Sequence, residues 1–210
     1  MDRGSPPDPR KEWDREYSTK GRMWRALPPE DIEVKEGSRV LELGCGNGKT
    51  LGAIRGKGID MVGLDISRVG MMLCPPELPV SLVQGDAAML PFQDGSFDLV
   101  LANHVLGHLP LEGRERASSE IRRVLVQGGE VRVLVHSRRD MRFGGGAEVE
   151  PDTFLSGTGI ITHFFHEGEV RDLFSPLEEV SVSEVVRERR YSGTEVVRAT
   201  IEAVLRKPIV

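Results

Sequence analysis

Cysteine is scarce: Cys45 and Cys74 are the only two in 210 residues. They make neither a metal-ligand pattern nor a disulfide framework, so a reducing cytoplasm is the expected compartment and no metal is expected. Long apolar runs are missing as well. No stretch approaches the roughly 18 residues that a membrane span needs. The first nine residues, with Gly4, Pro6, Pro7 and Pro9, have no apolar core; they read as a disordered tail rather than a secretory leader. Basic charge is not in excess. Lys and Arg number 28 against 33 Asp and Glu, a net charge of −5, whereas a large nucleic-acid footprint shows as a basic balance. A local basic patch stays open. Beyond the tail there is no repeat and no low-complexity tract. What remains is 39% hydrophobic and 29% charged, the composition of an ordinary globular protein, at the length of one domain with a full core.

The chain alternates apolar strand-like runs with helical stretches. Residues 39–43, 59–64, 80–83, 97–102 and 131–135 read as strands. Residues 11–20, 49–57, 68–73, 112–126 and 166–174 read as helical. Ser67 is placed to cap the third of these. Such alternation implies a doubly wound, mostly parallel sheet with right-handed crossovers and ligands at the carboxyl ends of the strands. Residues 180–186 and 196–205 then alternate as two long strands about Tyr191-Ser192-Gly193-Thr194, a hairpin signal. Between them and the fifth strand, residues 138–165 show little periodicity. A long connection of that kind inside a domain is usually functional or disordered, and Gly144-Gly145-Gly146 suggests a mobile lid.

The chemistry concentrates around Val40-Leu41-Glu42-Leu43-Gly44-Cys45-Gly46-Asn47-Gly48-Lys49. A strand running into glycines and then a helix makes a cradle for a nucleotide-type ligand. The dinucleotide fingerprint needs glycine where Lys49 stands, and the phosphate P-loop spacing is not met. Glu42 at the strand end would repel a pyrophosphate and suit a ligand that carries positive charge. Asp65 ends the next strand about 20 residues on, where α/β nucleotide sites place a ribose-binding acid.

These residues resemble motif I, E/D-x-G-x-G-x-G, of the class I S-adenosylmethionine (SAM) dependent methyltransferases. Three further stretches resemble the same family in the same order. Gly85-Asp86-Ala87 is similar to its adenine motif. Pro91-Phe92-Gln93-Asp94-Gly95-Ser96-Phe97-Asp98 is similar to its entry into strand four, and Glu120-Ile121-Arg122-Arg123-Val124-Leu125-Val126-Gln127-Gly128-Gly129 to its E-x-x-R-V-L-K-P-G-G. Gln127 stands where proline is usual, and Gly107 where a larger residue often is. The resemblance is strong over residues 38–136 and weak over 10–37 and 160–207.

It implies a single Rossmann-like domain: a seven-stranded, mostly parallel sheet with the last strand antiparallel and helices on both faces. It implies SAM as cofactor, held by Glu42, Gly44, Cys45, Gly46, Asn47, Asp65, Ile66, Asp86, Ala87 and Asn103. Trp13-Asp14-x-x-Tyr17 followed by Gly21-x-x-Trp24 is similar to a segment that lies over the cofactor in several small-molecule members, so residues 10–37 become a lid segment, with Tyr17 and Trp24 as cofactor contacts. The turn after strand four offers His104 and His108 as catalytic candidates. Arg22, His136, Arg138 and His163 are candidate acceptor contacts, with residues 138–165 as a substrate-side loop. His104 and His108 each have a structural reading, holding backbone, beside the catalytic one, and with His136, His163 and His166 they are all the histidines available as a base.

The acceptor is approached by exclusion. No D/N-P-P-Y follows strand four, against methylation of base or glutamine amino groups in the family's usual manner. Neither cysteine is placed to attack a pyrimidine. A small molecule with an N, O or S nucleophile is the leading expectation. A tRNA or protein side chain is the alternative, motivated by Arg138, Arg139, Arg142, Arg187, Arg189 and Arg190. A non-catalytic SAM-binding adaptor and an NAD-linked oxidoreductase are the readings from other classes. Nothing in the sequence points to a membrane partner or to an oligomeric state.

Overall fold

The structure is a computed structural model that describes residues 8–22, 32–191 and 194–209. The first seven residues of the expected tail, Trp24 and the hairpin tip Ser192-Gly193 lie outside the described residues. Four helices are described, α1 (Pro9–Lys20), α2 (Arg68–Met72), α3 (Leu111–Val124) and α4 (Glu167–Phe174). The strands are β1 (Ile32–Glu33), β2 (Arg39–Leu43), β3 (Ile54–Arg55), β4 (Asp60–Asp65), β5 (Val80–Gln84), β6 (Phe97–Asn103), β7 (Leu125–His136), β8 (Ala147–Glu150), β9 (Thr153–Leu155), β10 (Ile161–His163), β11 (Glu178–Tyr191) and β12 (Thr194–Arg206). None of the described helices is long and apolar enough to cross a membrane.

Seven strands form the main sheet in the order β11-β12-β7-β6-β2-β4-β5. β7, β6, β2, β4 and β5 run parallel, while β12 pairs antiparallel with both β7 and β11. The expected Rossmann-like sheet with a terminal hairpin is thus present, with β12 the strand that runs against the rest. Its inner strands are buried on both faces, and alternate residues separate into two cores. Leu41, Leu43, Val100 and Ala102 face α3 and α4 through Ala117, Ile121, Val124, Val170 and Phe174. Val40, Leu99 and Leu101 face the other way, onto Leu51, Ile54 and Met71.

Local chemistry accounts for the helix ends. Asp8 caps α1 by accepting from Arg10 N at 3.1 Å, and Pro9 opens the helix where no N–H is needed. Ser67 Oγ caps α2 by accepting from Gly70 N at 3.0 Å. His166 caps α4 through its ring, accepting from Glu169 N at 3.2 Å.

Two expectations are corrected. The helix expected over 49–57 is absent; the stretch makes one 3₁₀ turn, Leu51–Ala53, and then β3. Gly52 and Gly56 within it each lower helix stability by about 1 kcal/mol relative to alanine, and the short β3 pairs with β1 instead. The second correction concerns 138–165, which is neither disordered nor a simple loop. Its centre folds into a separate antiparallel sheet, β10-β9-β8. The turn before that sheet is bolted to β12: Met141 N donates to Val197 O at 2.9 Å, and Asp140 accepts from Ala199 N at 3.1 Å.

Candidate active site

The cradle forms where β2 ends. Gly44 N and Cys45 N both donate to Leu64 O, at 2.8 and 3.1 Å, which folds the turn back over β4. Gly44, Gly46 and Gly48 all have positive φ, at 69°, 48° and 76°, a conformation that side chains resist. Space is also limiting: a Cβ at Gly46 would collide with Tyr17 Oη, and one at Gly44 would stand 3.1 Å from Val105 Cβ. Asp65 holds the turn in shape, since its two oxygens accept from Gly46 N and Ser67 N at 2.7 Å each. Each oxygen retains a lone pair for a ligand hydroxyl. Burial raises the Asp65 pKa, and the bonds from Ser67 and Gly46 oppose that rise. Cys45, Asn47 and Ala87 are buried beside it, Ile66 is half-buried, and Asp86 is exposed with Oδ1 accepting from Ala88 N at 2.9 Å.

Glu42 tests what this cradle fits. It is 3% exposed, and its Oε2 has no partner among the described residues. Burial pushes its pKa up to about 8, against hydrogen bonds from Thr50 and Leu51 that lower it. A buried acid with an unmet oxygen favours a ligand that brings positive charge, as the sulfonium and ammonium of SAM do. Without ligand, a folded pKa raised above the ordinary value of 4.5 means stability that is full below about pH 4.5 and lost as pH rises through about 8. Glu42→Gln should therefore leave the melting temperature at pH 5 within about 2 °C of wild type and raise it by several degrees at pH 8.5. Equal shifts at both pH values would show that Glu42 does not titrate in this way.

α1 lies across the cradle. Asp14 Oδ1 accepts from Ser67 Oγ at 2.6 Å and from Val69 N at 3.2 Å, which ties the helix to the start of α2. Tyr17 is 6% exposed, and its ring fills the space that a Cβ on Gly70 would need, 2.7 Å away. Trp13 meets the His108 ring edge-on at 4.9 Å. Arg22, expected on the acceptor side, instead donates from Nε to Leu73 O at 3.0 Å and is exposed, pinning the exit of α1 to the end of α2. Because packing is what Tyr17 contributes, Tyr17→Phe should keep the affinity for S-adenosylhomocysteine within about twofold, and Tyr17→Ala should weaken it by tenfold or more, about 1.4 kcal/mol. Calorimetry decides; equal losses in both would assign the role to the hydroxyl.

The side on which the acceptor is expected lies where β6 and β7 end. His104 has a φ of 62°, rare for a residue with a side chain. Its N donates to Leu134 O at 2.6 Å, and its ring stacks on His136 with centroids 4.2 Å apart. Its Nδ1 is buried with no partner among the described residues. Asn103 Nδ2 reaches Thr50 Oγ1 at 3.5 Å, joining β6 to the turn beyond the glycines. Burial, together with the neighbouring imidazole and Arg142, lowers the pKa of His104 to about 3 and of His136 to about 2. Both rings are therefore neutral near pH 7. His108 Nδ1 bonds Ile161 O at 2.8 Å, so this histidine fastens the turn after β6 to β10.

Two expected acceptor contacts have partners within the fold. His163 is 3% exposed, with Nδ1 on Thr153 Oγ1 at 2.8 Å and Nε2 on Glu169 at 2.7 Å. Both ring nitrogens are taken, and the chain of bonds joins β9, β10 and α4. Arg138 pairs with Asp152 at the β8–β9 turn. Sequence reasoning missed Asp140, whose side chain is fully buried and gathers Arg142, Arg198 and two backbone N–H groups. Its one visible signal was an acid set among four arginines in 138–142 and at 198.

Residues 41–133 match the family model described as a methyltransferase domain. A chain of Encephalitozoon cuniculi named as a methyltransferase is 40% identical over 118 residues, which are 53% of this chain and 54% of that protein. Ajmaline N-methyltransferase of Rauvolfia serpentina is 35% identical over 121 residues, 54% of this chain and 40% of that one. The chain thus spans about half the length of the curated relatives it matches. Among solved structures, a chain from the Haloferax volcanii complex of the Trm112 methyltransferase activator with a methyltransferase aligns with TM-score 0.69 and 22% identity over 97% of this chain and 99% of that one. A SAM-dependent methyltransferase of Methanosarcina mazei aligns with TM-score 0.65 and 21% identity over 84% and 95%. The sheet order, the glycine cradle and the unmet acid of Glu42 agree with the match over residues 41–133, so this stretch is a methyltransferase domain, set in a fold of the class I SAM-dependent kind.

Proposed function

We propose that the chain transfers a methyl group from SAM to an N, O or S nucleophile of a small molecule. Glu42, the 44–48 turn, Asp65, Ile66, Asp86, Ala87 and Asn103 hold the cofactor, under the roof of Tyr17. SAM supplies an already activated sulfonium methyl, so the protein's part is alignment, which can contribute about 7–11 kcal/mol. His104 and His136 act as neutral hydrogen-bonding groups beside the acceptor. An imidazole with a pKa near 3 is a poor proton sink, so the acceptor reacts as a group already deprotonated or loses its proton to water. The rate should accordingly show no inflection near pH 6.5 that disappears in His104→Gln; such an inflection would restore a histidine base.

The observation that carries the small-molecule reading is the state of the arginines. A nucleic acid would need several free cations at the mouth, and here Arg138, Arg139 and Arg187 each face a carboxylate of their own, on Asp152, Glu184 and Glu202. The relatives keep the other reading open, since a tRNA (carboxymethyluridine(34)-5-O)-methyltransferase of Xenopus tropicalis is 33% identical over 119 residues, 56% of this chain and 18% of that protein. Incubation with labelled SAM and a size-fractionated cell extract separates the two. Label in the low-mass fraction supports this proposal; label in the RNA or protein fraction overturns it. Binding to total tRNA that weakens steeply with salt would add to the case for RNA. SAM binding without transfer to any fraction would instead favour a non-catalytic adaptor.

A further inference from the structure

Beside the stacked histidines lies a cation that the methyl-transfer chemistry does not call for. Arg142 sits in the turn between β7 and β8, and its placement is over-determined. Its Nε donates to Asp140 Oδ1 at 2.7 Å, its Nη2 to Asp140 Oδ2 at 3.2 Å, and its backbone N to Asp140 Oδ1 at 3.1 Å. The same Nη2 meets His136 Nδ1 at 2.9 Å. An arginine only donates, so His136 Nδ1 is the acceptor and its proton sits on Nε2. Asp140 is itself fixed to β12 by Arg198 Nε at 3.0 Å and Ala199 N. Arg142 Nη1 has no partner among the described residues, and the side chain is 37% exposed.

Charge around this cluster does not balance. Asp140 answers one of its two arginines, Arg142 and Arg198, which leaves one positive charge over. Arg138 and Arg139 next to it are answered by Asp152 and Glu184. The next residue along the turn, Phe143, covers an aromatic cluster. Phe143 is 41% exposed and packs edge-on against Phe154 and Phe164, and Phe164 in turn lies 6.1 Å from the ring of His136. His104 stacks on His136 beyond it, with its positive φ and unmet Nδ1. The exposed ring of Phe143 beside an uncommitted guanidinium N–H suits a molecule that joins an apolar part to a carboxylate.

We propose that Arg142 determines acceptor specificity, and that its Nη1 selects a methyl acceptor carrying one carboxylate beside an apolar part that meets Phe143. Asp140 and His136 are positioning residues that hold the guanidinium beside His104. This rests on the methyltransferase reading only for the word acceptor; the anion preference belongs to the protein whatever the reaction.

Benzoate and its neutral isostere benzamide are the probes, read by ligand-observed NMR on the whole chain, alone and saturated with S-adenosylhomocysteine. Benzoate should bind about tenfold more tightly than benzamide. The preference should fall below twofold in Arg142→Gln and stay intermediate in Arg142→Lys, which keeps a charge against Asp140. S-adenosylhomocysteine affinity, unchanged in both variants, reports that they are folded. No benzoate preference in the wild type, or a preference that survives in Arg142→Gln, overturns the proposal. Failure to bind S-adenosylhomocysteine would count against the cofactor reading alone, because the benzoate comparison still decides on the protein without it.

Discussion

Asp140→Asn should destabilise the protein by about 2–4 kcal/mol, toward the lower end of what breaking a buried ion pair costs, because both arginines are partly exposed and can turn to water. The carboxylate is fully buried and receives bonds from Arg142, Arg198 and the N–H groups of Arg142 and Ala199. Burial raises its pKa, but those bonds outweigh burial and hold it below the usual carboxylate range. An amide cannot accept from donors on both sides, and its own N–H₂ would face guanidinium groups. A group whose folded pKa is lowered contributes stability that is present above its unfolded value and is lost as pH falls through the folded one. The gap between wild type and variant, measured by urea unfolding, should therefore narrow below about pH 3. The surface control Asp152→Asn, which removes a half-exposed partner of Arg138, should change stability by less than about 1 kcal/mol. Equal effects at the two sites would deny Asp140 its role as the bolt between the β7–β8 turn and β12.

Asp65→Asn should weaken S-adenosylhomocysteine binding about a hundredfold, roughly 2.7 kcal/mol. Two effects add. The carboxylate shapes the glycine turn by accepting from Gly46 N and Ser67 N, and an amide can accept on one side only. A charge-assisted bond to a ligand hydroxyl is then also weakened, at about 1.5–3 kcal/mol for such a bond. Asp86→Asn should cost less, because that carboxylate is exposed and, among the described residues, bonds only Ala88 N. Calorimetric titrations of both variants give the order; a larger loss at Asp86 would move the centre of the cofactor site away from β4.

The sheet was legible because its strands are long apolar runs buried on both faces, as in Val40–Leu43 and Leu99–Ala102. The motif residues fall at their carboxyl ends for the same reason. The stretch after Gly48 was misleading, since motif order suggested a helix while Gly52 and Gly56 argued against one. Residues 138–165 hid their sheet because strands of three or four residues are too short to show a period. The acceptor side was least legible. His136 and Arg142 are near in sequence, but Asp140 finds Arg198 58 residues on, and no local pattern announces such a pair. His163 could not be told from a ligand contact until Thr153 and Glu169 were seen on its two nitrogens.

The central claim is that the cradle under Tyr17 takes a positively charged cofactor, SAM, over the buried acid of Glu42. Calorimetry with SAM at pH 7, run in buffers of different ionisation enthalpy, tests it most directly. Glu42, with a pKa of about 8 in the free protein, is mostly protonated at that pH, so SAM should bind with release of close to one proton. Its affinity should rise with pH and level off above about 8, and Glu42→Gln should abolish both the release and the slope. NAD binding in place of SAM, or SAM binding with no proton release in the wild type, would contradict it.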